Sequence, residues 1–458
     1  MTSPTPTDTA ALPNGAQRDG SLRWVSVGIY ALVFVAAFEA LAITTAMPLA
    51  ATELDGHSLY SLAFAASLAT SVVGMVIAGA WSDRNGPRVP LYAMLLLFVA
   101  GLIITSTAPT MSVLVIGRVI QGVGGGGLLV PLYVLIARVY PLDRQNAMSA
   151  GFSAAWTLPG LFGPAVAGAL AETAGWRIAF LSVLVFVPPA VVMIVVPLRK
   201  HHALLGANSD TPVAWKIRPI LWSALAAVAV LALAISPEFG GGLGWSIAAV
   251  ALALIVVSVR PLLPRGAYRS VRGVPTVILL RLLFAAAIFG TEVYVPYLLV
   301  RDFGWSVTSA GLALTGAGLA WASAAWIQSR LRTRVSSVAM LRIGATIIVL
   351  GLLAITLVAF TDVGVALVIP MWVVAALGGG LIYPRLTALT LELAPLEEQG
   401  STSSALAIAD AIGAGVVLAI AALITSPSVD FGAVFALGAL IALGTLFLSG
   451  RIVPRKAE

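Results

Sequence analysis

The chain has 458 residues, of which 60% are hydrophobic and only 10% charged, and its mean hydropathy is +1.02. Soluble domains carry about 25% charged residues, so this composition excludes a soluble enzyme. It excludes a disordered chain as well, which tolerates far less apolar surface. There is no cysteine, hence no disulfide framework, thiol nucleophile or Cys–zinc site, and three histidines (His57, His201, His202) argue against a His-based metal centre. The net charge of +7 comes without any long basic run, which speaks against nucleic acid as a partner. The lipid bilayer is the partner this composition requires.

Residues 1–22 are polar and rich in Pro, Thr and Ala, and read as a disordered tail. The first apolar stretch, 24–50, is too long for a signal-peptide core and reads as a retained spanning helix. A crossing takes roughly 20 apolar residues. Five further candidates follow at 60–81, 90–108, 111–137, 146–171 and 177–197, then a shorter pair at 219–236 and 244–259. Six more lie at 275–299, 306–328, 337–360, 364–390, 400–425 and 429–450, which makes fourteen. With the N-terminus in the cytoplasm, 20 of the 26 Lys and Arg fall in inner loops and tails, and only Arg177 and Arg301 in outer loops. The positive-inside bias therefore puts both termini in the cytoplasm. Parity serves twelve crossings as well as fourteen.

An internal repeat addresses that choice. Gly125–Pro131 (GGGLLVP) is matched by Gly378–Pro384 (GGGLIYP) at an offset of 253, and Pro141 with Leu142–Gln145 by Pro395 with Leu396–Gln399 at 254. Segments 4–5 thus return as segments 12–13 in the same orientation. A step of eight fits two six-helix halves with a helical pair between them, an arrangement that in transporters places the substrate at the interface. The expected division is a tail 1–22, a six-helix domain 23–197, a linker 198–274 with two added helices, a six-helix domain 275–450 and a tail 451–458. The glycines at 122–127 lack the Lys-Ser/Thr of a phosphate loop and lie within an apolar helix, so they read as close-packing positions.

The motifs have a family likeness. Gly79–Arg88 (GAWSDRNGPR), with Gly79, Asp83, Arg84, Gly86 and Arg88, falls in the cytoplasmic turn between segments 2 and 3, where an aspartate and arginines can network across helix ends. It resembles the loop signature of the major facilitator superfamily; the second half keeps only the arginines, in Ser329–Arg334. Arg118–Gly122 (RVIQG) is similar to the second family motif. Gly163, Pro164 and Gly168 resemble the exporter motif, with Pro159-Gly160 where a single glycine usually stands. Glu39 with Thr44–Pro48 is similar to the first-helix motif of the fourteen-helix drug:proton antiporters, which usually carry an aspartate nearer the threonine. The resemblance spans nearly the whole chain.

Ionisable residues inside segments cost roughly 2.5–3.5 kcal/mol each on insertion scales, so each calls for a partner or water. Helical rise puts Glu39 roughly 22 Å from the start of segment 1 and Arg118 roughly 10 Å from the opposite end, nearly level in a core of about 30 Å. Asp410 falls near mid-depth, and its repeat-mate is Trp156, a carboxylate facing an aromatic in a way that suits an amphipathic cation. Glu292 lies beside Tyr294 and Tyr297, and Gln121 shares a turn with Arg118. Trp321, Trp326 and Tyr383 read as core, interfacial or cavity aromatics. Arg281, Arg342 and Arg385 lie nearer the cytoplasmic ends, within reach of snorkelling.

The expected molecule is an all-α exporter in the cytoplasmic membrane of a bacterium, monomeric, working by alternating access. Proton coupling is expected at Glu39, Arg118 and Asp410, and the substrate cavity at Glu39, Gln121, Trp156, Glu292, Tyr294 and Asp410. The substrate is a small lipophilic molecule, cations included. No cofactor is expected beyond protons as the coupling ion, and no ATP-binding motif is present. The alternatives are a dedicated exporter of a lipid, sugar or secreted metabolite, and a non-transporting membrane sensor. No clustered nucleophile, base or metal set speaks for a membrane enzyme.

Overall fold

Inside a bilayer each backbone N–H must be satisfied within its own segment, which leaves long helices as the form open to this apolar sequence. The computed structural model describes residues 20–140, 142–198, 215–361, 364–395, 398–425 and 430–453. Almost all of the expected tail 1–22 lies outside the described residues. So do 199–214 of the linker with His201 and His202, Pro141, Leu396 and Glu397 of the repeat, and 454–458 of the last tail.

Among the described residues, fourteen helical spans are long and apolar enough to cross a membrane. They are α1 (Gly20–Glu53), α2 (Tyr60–Asn85), α3 (Arg88–Ser106), α4 (Met111–Val139), α5 (Leu142–Ala174) and α6 (Trp176–Pro197). The short pair is α7 (Ile217–Ile235) and α8 (Gly241–Val259). Then come α9 (Val274–Arg301), α10 (Val307–Leu331), α11 (Ser337–Thr361), α12 (Val368–Leu393), α13 (Gln399–Ile424) and α14 (Phe431–Leu448). Three of the even-numbered helices start under a side-chain cap: Thr110, Ser306 and Asp430 accept the amides of Val113, Ser309 and Ala433. Gly86, at φ 80°, makes the turn between α2 and α3 in a conformation that favours glycine.

The eight-helix repeat is visible in the packing. Helix α4 packs on α2 and α3 as α12 packs on α10 and α11, and α1 packs on α5 and α6 as α9 packs on α13 and α14. The two sets meet along α5–α10 and α2–α13, contacts that the same step of eight exchanges. The glycine run of α4 permits its wedge position. A Cβ at Gly122 or Gly126 would strike the α2 backbone at Ser67 or Ser71, and one at Gly124 the α3 backbone at Phe98. Helix α7 lies against both α2 and α13, and α8 against α7, so the inserted pair covers one seam from outside. The outward side of α8 shows Leu243, Trp245 and Val250, as a lipid-facing helix should.

Fourteen crossings leave both ends of the described chain at one end of the bundle, where most arginines collect. The opposite end is called the far end below.

Candidate functional site

Among the described residues, two ion pairs lie inside the bundle, one in each half, with Glu39, Arg118 and Arg281 buried and Asp410 one-fifth exposed. In the first, the Arg118 guanidinium of α4 donates from Nη1 to Glu39 Oε1 of α1 at 2.8 Å and to Gln121 Oε1 at 2.9 Å. Its Nε reaches the Ala63 carbonyl of α2 at 3.3 Å, and the Phe64 ring lies 6.0 Å away. Glu39, Arg118 and Gln121 are all buried. The side-chain nitrogen of Gln121 has no hydrogen-bond partner among the described residues. Only one guanidinium nitrogen engages Glu39. Just beyond, Thr44 and Thr45 bond back to the carbonyls four residues earlier, and Pro48 has no N–H to offer the Thr44 carbonyl, which loosens α1 locally.

The second pair is a fork. Arg281 of α9 donates from Nε to Asp410 Oδ1 at 2.6 Å and from Nη2 to Oδ2 at 2.9 Å. Nη1 takes the Tyr383 carbonyl at 3.0 Å and the Thr387 hydroxyl at 3.1 Å, and the guanidinium lies 3.2 Å from the centre of the Tyr383 ring. Around it Phe284, Phe289, Trp321 and Tyr383 form a cluster in which all six ring pairs stand 5.5–6.1 Å apart. Arg281 therefore does not snorkel: its side chain is 4% exposed and points into the bundle. Arg385 does not snorkel either, being buried on Glu392 and Ser337, whereas Arg342 is exposed and reaches Ser449. The fork changes the reading of Asp410, whose charge is already taken up by Arg281. Trp156 is exposed on α5, four residues before Gly160.

Glu292 sits where α9 breaks. The helix stops at Ala287, makes one turn at Phe289–Glu292 and resumes at Tyr294–Arg301. Pro296 cannot donate to the Glu292 carbonyl, which accounts for the second interruption, at Val293. The Glu292 side chain is half-buried and has no hydrogen-bond or ionic partner among the described residues.

The halves are joined by polar contacts at the far end. Ser61 hydrogen-bonds Tyr294, Tyr60 donates to the Val293 carbonyl at 2.8 Å, and His57 Nδ1 lies 2.8 Å from the Tyr297 hydroxyl. Glu172 of α5 accepts both the amide and the hydroxyl of Thr308 at the start of α10. Below that contact the exporter-like motif is a seam of backbone against backbone. A Cβ on Gly168 would meet the Val307 carbonyl at 2.8 Å, and Cβ atoms on Gly311 and Gly318 would meet the Pro164 and Gly160 carbonyls at 2.3 Å. Gly163 faces Phe38 instead, at 3.4 Å. At Pro159-Gly160, the departure from the usual motif, the close approach is allowed by Gly318, since a Cβ on Gly160 itself would meet nothing within 4 Å. Tyr294 is buried among the contacts that join the halves at the far end.

At the arginine-rich end, Asp83 pairs with Lys216 at 3.1 Å, joining the signature loop to the chain that enters α7. Arg84 is half-buried, Arg88 opens α3, and Gly79 faces Val130 at 3.8 Å. Both partners of this pair are more than half exposed, and such surface pairs contribute only about 0–1 kcal/mol. Asp83→Asn is therefore expected to leave stability and substrate affinity unchanged while slowing turnover several-fold. Binding and saturating transport rates measured on one preparation check this; lost binding with normal turnover would contradict it. Nothing in the sequence marked Lys216 as the partner, since the pairing depends on where the inserted helix docks.

The family model of the Major Facilitator Superfamily matches residues 29–418. The multidrug transporter protein MdtP of Bacillus subtilis is 26% identical over 392 residues, which cover 82% of this chain and 70% of that protein. The MFS-type transporter of the acurin A biosynthesis cluster of Aspergillus aculeatus is 30% identical over 222 residues, 48% of this chain. That transporter and four other relatives are matched over only 26–39% of their own length. Among solved structures, a POT family transporter in complex with a thioalcohol-conjugated peptide has a TM-score of 0.70 at 18% identity, covering 94% of this chain and 96% of that one. The xylose transporter XylE from E. coli has a TM-score of 0.61 at 14% identity, covering 95% of this chain and all of that one. At those identities the likeness speaks for the fold, while the family match covers most of the sequence. The chain belongs to the Major Facilitator Superfamily.

Proposed function

We propose that the chain is a proton-coupled exporter of small lipophilic molecules, cations among them, working by alternating access as a monomer. The arginine-rich end with both termini faces the cytoplasm, a placement supported by the 20-to-2 split of basic loop residues. The multidrug names of two Bacillus subtilis relatives support efflux of drug-like substrates. The observation that carries the coupling is the contrast between the two buried pairs. A forked arginine holds its carboxylate charged through two parallel bonds, and Asp410 is held so. Glu39 is held by one bond, so a small shift of α4 against α1 separates it from its cation. Protonation then neutralises a carboxylate that would otherwise be buried and unpaired. Closing the pair again returns the proton.

Gln121 beside that pair, with Glu292, Trp156 and Tyr294, is proposed to face substrate during the cycle, while Asp410 is proposed to hold Arg281 in place. Protons entering down the membrane potential supply about 2.3 kcal/mol per charge per 100 mV. Export from liposomes of a panel of lipophilic cations, neutral drugs and lipids, with and without a pH gradient, tests this reading. Gradient-dependent export of the cations and neutral drugs is expected. Export of one metabolite class alone is the second reading, favoured by the biosynthesis-cluster transporter among the relatives.

A further inference from the structure

The far gate contains a titratable group that the coupling pair does not use. His57 stands in the short turn leading into α2, its ring stacked on that of Tyr297 with centroids 6.0 Å apart. Tyr297 stacks on Tyr60 as well, at 4.0 Å. Arg301, one turn along α9, points Nη1 at the Tyr297 hydroxyl from 3.5 Å, with its guanidinium 5.7 Å from the ring centre. That hydroxyl has one hydrogen to give. We assign His57 the neutral tautomer with its proton on Nε2, in which Nδ1, 2.8 Å away, accepts the Tyr297 hydrogen while the hydroxyl oxygen faces Arg301.

We propose that His57 is a proton site in its own right and that its protonation releases the far gate. A proton on Nδ1 removes the lone pair into which Tyr297 donates. It also brings a second cation up to a hydroxyl that Arg301 already faces. The opposing charge is Asp55, in the turn just before His57. The other groups nearby are committed or remote: Glu53 is held by Trp176 and Arg177, and Tyr60 is bonded to Val293. Asp302, next to Arg301 at the end of α9, acts on Tyr297, and Met111 at the start of α4 packs against Gly56 of this turn. When the halves part, Tyr297 and Arg301 leave with α9, while Asp55 stays with His57. The open gate therefore binds the proton more tightly than the closed one. A ligand that prefers one of two states pulls the population towards it, so acid at the far side opens the gate. This rests on the alternating-access reading and places the opening signal on the side from which the driving protons come.

The absence of cysteine allows a clean test. Thr107, which caps α3, and Thr361, at the end of α11, are exposed at the far end in opposite halves, with hydroxyls bonded only within their own helices. Thr107→Cys with Thr361→Cys carries two spin labels whose separation is read by electron–electron resonance in lipid nanodiscs. Between about pH 8 and pH 5.5, the range in which a histidine titrates, the longer-distance population is expected to grow at least about threefold. In Glu39→Gln, where the coupling pair no longer titrates, much of that response persists. Adding His57→Gln, whose amide oxygen still accepts from Tyr297 but takes no proton, flattens it. His57→Ala, with no acceptor, shows the longer distance at both pH values. A flat response in Glu39→Gln alone overturns the proposal and leaves the Glu39 reading intact, as does a wild-type response in His57→Gln. A full response in Glu39→Gln that His57→Gln alone abolishes upholds the proposal and removes Glu39 from gating.

Discussion

Replacing Arg118 by alanine is expected to abolish proton-driven transport and to destabilise the protein more than any other single change in the first half. The guanidinium is the cation for Glu39 and ties α4 to α2 through the Ala63 carbonyl. Breaking a buried pair by removing one partner costs about 3–5 kcal/mol, because the remaining charge is stranded. The double variant Arg118→Met with Glu39→Gln leaves no stranded charge, so it should recover most of the stability and none of the coupling. Thermal unfolding in detergent, followed by size-exclusion profile, separates the two effects. A single Arg118→Ala variant as stable as wild type would mean that the pair contributes nothing to the fold.

The second large effect is expected at Asp410. Had its carboxylate been free opposite Trp156, as the repeat arithmetic allows, Asp410→Asn would weaken cationic substrates and spare neutral ones. With both oxygens occupied by Arg281, the variant instead strands a buried guanidinium that retains only the Tyr383 carbonyl and ring and the Thr387 hydroxyl. Transport of cationic and neutral substrates should therefore fall together, with a loss of stability approaching the same order, about 3 kcal/mol. Arg281→Gln combined with Asp410→Asn should restore part of both. Dose–response curves for one cation and one neutral substrate, measured side by side, decide the matter. A loss confined to the cation would make Asp410 a direct counter-ion.

The spans were legible because roughly 20 apolar residues between charged turns is a strong pattern, and even the short pair 219–236 and 244–259 emerges as α7 and α8. The level of Glu39 with Arg118 followed from helical rise alone, and the two do meet. The Arg281–Asp410 fork was hidden. A helix apolar all round does not reveal which face is inward, so an arginine two turns from its end reads equally well as snorkelling or buried. The signal that could have found the fork is that α9 and α13 enter from the same end and carry opposite charges at similar depth. The His57–Tyr297 contact had no such signal: it joins residues 240 positions apart through a turn whose place depends on how the halves close. The exporter-like glycines were recognisable as small residues. That they form the seam between α5 and α10 needed the structure.

Exchange of a proton for substrate at Glu39 is open to direct measurement. Wild-type protein and Glu39→Gln are reconstituted into liposomes, and proton movement and export of a lipophilic cation are recorded in the same sample under an imposed pH gradient. Coupled fluxes are expected in the wild type. In the variant, gradient-driven export and substrate-linked proton movement are expected to be absent, while passive exchange of substrate down its own gradient persists. Gradient-driven export at the wild-type rate in Glu39→Gln would remove Glu39 as the proton carrier.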